Sequence, residues 1–110
     1  MDDKPHYIYR LVEPGSDTIR YIGCTSDPYR RLCQHVWVTG YAGLLLRRWV
    51  LALLQSNKEP QMVFLDRVVG KANARRIETD WILTLKAGGV PLTNRLYPGH
   101  ENWNIPRNRR

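Results

Sequence analysis

The stretch Arg20-Tyr-Ile-Gly-Cys-Thr-Ser-Asp-Pro-Tyr-Arg-Arg-Leu-Cys-Gln-His35 reads as the end of a strand, a turn and the start of a helix. Asp27 and Pro28 mark the junction. A carboxylate at the cap accepts from free backbone N–H groups, and proline at the first helical position gives up a donor that has no partner there anyway. The helix is predicted from Pro28 to about Val38, ending before Thr39-Gly40. Upstream, His6-Tyr-Ile-Tyr-Arg-Leu-Val12 has the aromatic and β-branched character of a strand, and Thr18-Ile-Arg-Tyr-Ile-Gly23 reads as a second. The turn cluster Glu13-Pro-Gly-Ser-Asp17 joins them, so an antiparallel hairpin is expected.

Downstream, Leu45, Leu46, Trp49, Val50, Leu53 and Leu54 recur at helical spacing in a segment that begins near Tyr41 and stops around Ser56-Asn57. Pro60 prevents its return, and Gln61 to Val68 reads as a third strand. A third helix is expected from Ala72 to Lys86, closed by Gly88-Gly89. The order β-β-α-α-β-α implies an α+β domain with a small antiparallel sheet and helices packed on it. After Val90 the chain is rich in Pro, Asn and Arg, with at most a short extended piece before a basic tail.

The length of 110 residues fits one domain with one modest core. Seventeen Lys plus Arg against ten Asp plus Glu give a formal charge of +7, which favours a polyanionic partner, most simply nucleic acid. An anionic membrane surface competes for that role. No apolar run reaches the roughly 18 residues of a membrane span, and Met1-Asp-Asp-Lys4 lacks the apolar core of a signal peptide. An intracellular, cytoplasmic protein without a membrane partner is therefore expected. Cys24 and Cys33 make no disulfide framework and no zinc-ligand spacing, and are read as reduced packing residues.

Three groups of residues are candidates for chemistry. If the turn sets Val12 opposite Thr18, Tyr9 faces Tyr21 and Tyr7 faces Gly23, all on one side of the hairpin. That arrangement is either a polar notch for a ligand or an aromatic pair that stabilises the hairpin. Arg31 and His35, four apart, share a helix face that suits either phosphoryl chemistry or plain solvation. Arg30 and Gln34 lie on a neighbouring face. Glu78 falls within the apolar stripe Ala74, Ile77, Trp81, Ile82 and Leu85, where burial is costly unless the carboxylate is paired or binds a cation. Its partner is either an arginine, Arg75 or Arg31, or a Mg²⁺ ion that also takes water and phosphate. Phosphate-loop, His-Glu-x-x-His and Gly-x-Ser-x-Gly signatures are absent from the sequence.

Together these residues resemble the GIY-YIG nuclease family. Tyr7-Ile8-Tyr9 stands at the first motif and Tyr21-Ile22-Gly23 at the second. The run from Thr25 through Arg31-Leu32 to Gln34-His35 is similar to the family's first helix. Glu78, within Ile77-Glu-Thr-Asp-Trp81-Ile82, resembles its acidic residue, and Asn94, in Pro91-Leu-Thr-Asn94, its closing asparagine. The resemblance covers roughly residues 6–96 and implies a three-stranded antiparallel sheet and divalent-metal-dependent hydrolysis of nucleic-acid phosphodiesters. Carried over, Glu78 would bind a single Mg²⁺ or Mn²⁺ and Arg31 would brace developing charge. Tyr9 or Tyr21 would stand beside the attacking water, with His35 helping to remove a proton. Tyr7, Gly23, Arg30 and Asn94 are the candidate substrate contacts, and Asn94 looks more structural than catalytic, fixing the chain end against the active-site helix.

Two departures accompany the resemblance. Tyr7 replaces the first glycine of the family name and is expected to fill the notch opposite Gly23. Arg95-Leu-Tyr-Pro-Gly99 follows the asparagine where a glycine pair is usual. The expected organisation is a nuclease-like domain over residues 1–98 and a basic tail over 99–110, with Arg107, Arg109 and Arg110 as candidate phosphate contacts. The expected activity is endonucleolytic, on DNA rather than RNA, in repair or recombination. Binding would come from the domain itself, the tail, a homodimer or a targeting partner. The rivals are a catalytically silent nucleic-acid-binding module and a nuclease subunit that needs a partner protein.

Overall fold

The computed structural model describes residues 3–37 and 44–94. It contains β1 (Pro5–Val12), β2 (Ile19–Thr25), α1 (Pro28–Trp37), α2 (Leu44–Gln55), β3 (Gln61–Val69) and α3 (Lys71–Ala87). The order β-β-α-α-β-α and the α+β class agree with the sequence reading. The three strands form one antiparallel sheet in the order β2-β1-β3. The expected start of the second helix near Tyr41, residues 95–98 and the basic tail lie outside the described residues.

Each element ends for a local reason. Asp27 Oδ1 accepts from the Arg30 N–H at 3.1 Å, capping α1 as the Asp-Pro pair implied. The α3 helix closes at Gly88, and Gly89 takes φ 82°, a left-handed conformation open to glycine at little cost. The Val90 N–H then returns to the Leu85 carbonyl at 3.0 Å.

The sheet is covered on both sides. Tyr9 and Leu11 project to the face where Leu46, Trp49 and Val50 of α2 and Leu32 of α1 pack. Ile8 and Ile22 project to the other face, against Ala74 and Ile82 of α3. Full burial of such side chains contributes roughly 1.5–3 kcal/mol each. Trp49 Nε1 donates to Glu13 Oε1 at 3.2 Å, and the Arg20 guanidinium lies 3.8 Å from the same carboxylate, tying α2 to the hairpin turn.

The hairpin register differs from the expected one by two residues. The Glu13 N–H donates to the Thr18 carbonyl, so Val12 stands opposite Ile19 rather than Thr18. A bulge beside Leu11 then absorbs Arg20, and Leu11 faces Tyr21, Tyr9 faces Gly23 and Tyr7 faces Thr25. A shift of two preserves the side on which each residue points, because strand side chains alternate with period two. The odd-numbered tyrosines therefore still share one face, with different partners.

Candidate active site

Gly23 fixes the position of the central phenol. A β-carbon at Gly23 would collide with Cζ and Oη of Tyr9, so the bare glycine is what lets the Tyr9 ring lie across β2. This corrects the expectation that Tyr7 fills the space opposite Gly23; Tyr9 fills it. Tyr9 is 0% exposed, and its Oη lies 2.8 Å from Nε2 of His35. His35 comes from the last turn of α1, four residues after Arg31, so the two share one face of the helix that Asp27 caps. The Tyr21 ring, half-buried, meets the edge of the His35 imidazole at 5.3 Å between centroids and stands 6.2 Å from Tyr9.

Charge at this centre is tuned mainly by burial. Desolvation lowers the His35 pKa to about 4, aided by the Arg31 charge, so the imidazole is neutral at neutral pH. Its Nδ1 is buried with no hydrogen-bond partner among the described residues. Desolvation, and next the neighbouring Tyr21, raise the Tyr9 pKa well above the ordinary phenol value, against an opposing pull from Arg31. Tyr9 and His35 are thus a neutral, hydrogen-bonded pair.

Glu78 stands on α3, which packs on the other face of the sheet. It lies on the buried stripe of α3 with Ala74 and Ile82, 9% exposed. Burial pushes its carboxyl up to about 7, although Arg75 and then Arg31 draw it down. Both arginines weighed as its partner therefore act on it. The Glu78 charge in turn raises the pKa of Tyr9, which places the carboxylate in the electrostatic surroundings of the Tyr9–His35 pair. Tyr9, Tyr21 and His35, from β1, β2 and α1, are gathered by direct contact, and Arg31 of α1 and Glu78 of α3 are joined to them through charge.

The other candidates divide. Tyr7 lies two residues along β1 from Tyr9, its ring 5.5 Å from that of Phe64. Arg30 is exposed on the neighbouring face of α1. Asn94 is buried, and its amide is bound to the backbone of β2: Oδ1 accepts from the Ile22 N–H at 3.0 Å and Nδ2 donates to the Ile22 carbonyl at 2.9 Å. It holds the outer edge of the sheet, fixing the end of the described chain against β2 rather than against the active-site helix as expected.

Cys24 was read as packing alone, yet its half-buried thiol senses Glu78, Arg75, Arg31 and Lys71. Burial first, then the Glu78 charge, raise its pKa to about 11, so it stands as a neutral thiol beside the carboxylate. Its place directly after Gly23 was the available signal. Among the described residues no group of three or more His, Cys, Asp or Glu forms a preassembled metal cage. Glu78 alone offers a hard anionic oxygen within the gathered set, which fits an ion such as Mg²⁺ that keeps several waters and takes further oxygens from a phosphate. No described helix is long and apolar enough to cross a membrane. No family model, curated protein or solved structure matches the chain.

Proposed function

We propose that the protein is a divalent-metal-dependent endonuclease that hydrolyses nucleic-acid phosphodiesters, with DNA the favoured substrate. The observation that carries this reading is the buried Tyr9–His35 hydrogen bond with the Tyr21 ring against it, supported by a buried carboxylate and an arginine whose charges act on that pair. A module that only binds nucleic acid has no use for a carboxylate held in so costly a place. The formal charge of +7 supplies attraction for the polyanion.

Glu78 would hold Mg²⁺ or Mn²⁺, which when bound supplies positive charge to the scissile phosphate and the leaving oxygen. A nearby cation also favours the ionised form of a carboxyl that burial otherwise holds protonated up to about pH 7. Arg31 braces negative charge that develops on the phosphate. Tyr21 is half-buried whereas Tyr9 is 0% exposed, so Tyr21 is the phenol proposed to stand beside the attacking water. Tyr9 donates to His35 Nε2 when the imidazole proton sits on Nδ1, and this bond orients the ring against which Tyr21 rests.

The test is cleavage of supercoiled plasmid, branched DNA and RNA with Mg²⁺, with Mn²⁺ and with a chelator. Metal-dependent nicking, lost in Glu78→Gln while DNA binding persists, is the expected result. Equal, metal-independent cutting by both proteins would remove the metal site from the mechanism. Binding without cleavage of any substrate would leave the silent binding module.

A further inference from the structure

Tyr7 and Phe64 form an aromatic surface that the proposed chemistry does not use. Their ring centroids lie 5.5 Å apart with planes tilted by 40°, and Phe64 is 57% exposed. Phe64 is the register partner of Tyr9 on β3, and Tyr7 precedes Tyr9 by two residues on the same face of β1, so the pair adjoins the candidate active site. Arg67, exposed, stands opposite Tyr7 in the same register, which puts a cationic residue on the same face of the sheet as the rings.

The size of this surface selects its occupant. Val63 is exposed as well but pairs with Arg10 and points to the opposite side of the sheet, whereas Val69, opposite Pro5 at the end of β3, shares the face of Tyr7. The exposed apolar surface on the ring face thus comes to two rings and one valine at the strand end, far fewer than the roughly 20–30 residues a side of a stable protein interface. Two rings beside a guanidinium match one nucleotide, with a base for the ring face and a phosphate for the cation.

We propose that Phe64 and Tyr7 form a stacking platform for one unpaired base of the DNA strand, next to the bond that is cut, with Arg67 on the adjoining phosphate. This rests on nucleic acid being the substrate and adds that the preferred DNA carries an unpaired base, because a base held in a duplex hides its faces within the stack. Tyr7, the residue that stands where the resembled family has glycine, is the lower member of the platform.

The experiment compares a short, fully paired duplex with one carrying a single bulged 2-aminopurine, in chelator so that the DNA stays intact. Wild-type protein is expected to bind the bulged duplex more tightly and to quench its fluorescence. In Phe64→Ala the preference falls by at least roughly fivefold, while Phe64→Trp retains it. Arg67→Gln weakens both duplexes about equally and lowers the salt slope by about one. Equal wild-type affinity for the two duplexes, or a preference that Phe64→Ala keeps, overturns the platform. So does a lower sedimentation mass in Phe64→Ala with the preference unchanged, which identifies the surface as self-association. Glu78-dependent cutting without quenching leaves the nuclease and removes the platform, whereas Phe64-dependent quenching by a protein that cuts nothing does the reverse.

Discussion

At the scale of single residues, the site rests on an absence of atoms. Because the Tyr9 ring occupies the space where a Gly23 side chain would stand, Gly23→Ala must displace the phenol that bonds His35. Overpacking of this kind costs about 1–3 kcal/mol, and an unchanged thermal midpoint in the variant would show that Tyr9 does not lie there. The two tyrosines are expected to separate by role. Tyr9→Phe leaves the buried Nε2 of His35 without its partner and lowers stability by about 1–3 kcal/mol. Tyr21→Phe removes the hydroxyl proposed to stand beside the water and lowers cleavage by roughly 10²–10⁴-fold with a smaller change in the melt than Tyr9→Phe; the reverse pattern would move the water-facing role to Tyr9. Arg31, His35 and Glu78 were legible in the sequence, because helical spacing and a charge in an apolar stripe are local signals. That Tyr9 rather than Tyr7 covers Gly23 was not, since it depends on which residues the bulge sets opposite one another.

At the scale of elements, β2 is an edge strand whose outer side is closed by the last described residues of the chain. Thr93 bonds the Arg20 carbonyl through both its N–H at 2.6 Å and its hydroxyl at 2.7 Å, and Asn94 takes both backbone groups of Ile22. Such closure protects an edge from foreign strands and anchors Tyr21 and Gly23, which flank Ile22. Asn94→Ala is expected to leave buried Ile22 groups unsatisfied, at about 1–3 kcal/mol, and to speed hydrogen exchange at the Ile22 amide above that of β1. Exchange that stays as slow as in β1 would show the edge to be held by other means. Strand and helix types and their order were readable from periodicity and turn chemistry. The register was not, because a bulge of one residue has no distinct composition and Arg20 looks like any other strand residue. The use of Asn94 as a strand substitute depends equally on an approach between distant segments that spacing does not reveal.

At the scale of the whole molecule, two buried groups oppose each other across the acid range. Glu78 moves from 4.5 to about 7 on folding, so between these values the native state holds more proton and stability falls as pH rises. His35 moves from 6.5 to about 4, so there the unfolded state holds more proton and stability rises with pH. Each contribution is worth about 3 kcal/mol over its window, and the windows overlap from 4.5 to 6.5. Without metal, these two groups should nearly cancel across that interval and leave the melting temperature almost flat. Glu78→Gln keeps the histidine contribution alone, and its Tm should climb by roughly 10 °C or more between pH 4.5 and 6.5. His35→Gln keeps the carboxyl contribution, and its Tm should decline from pH 4.5 to 7. Mg²⁺ bound at Glu78 in the native state should raise the wild-type Tm above pH 7, where the carboxyl is ionised, and leave Glu78→Gln unmoved. Parallel pH profiles in the three proteins would show that neither group is buried as charged chemistry at this site requires.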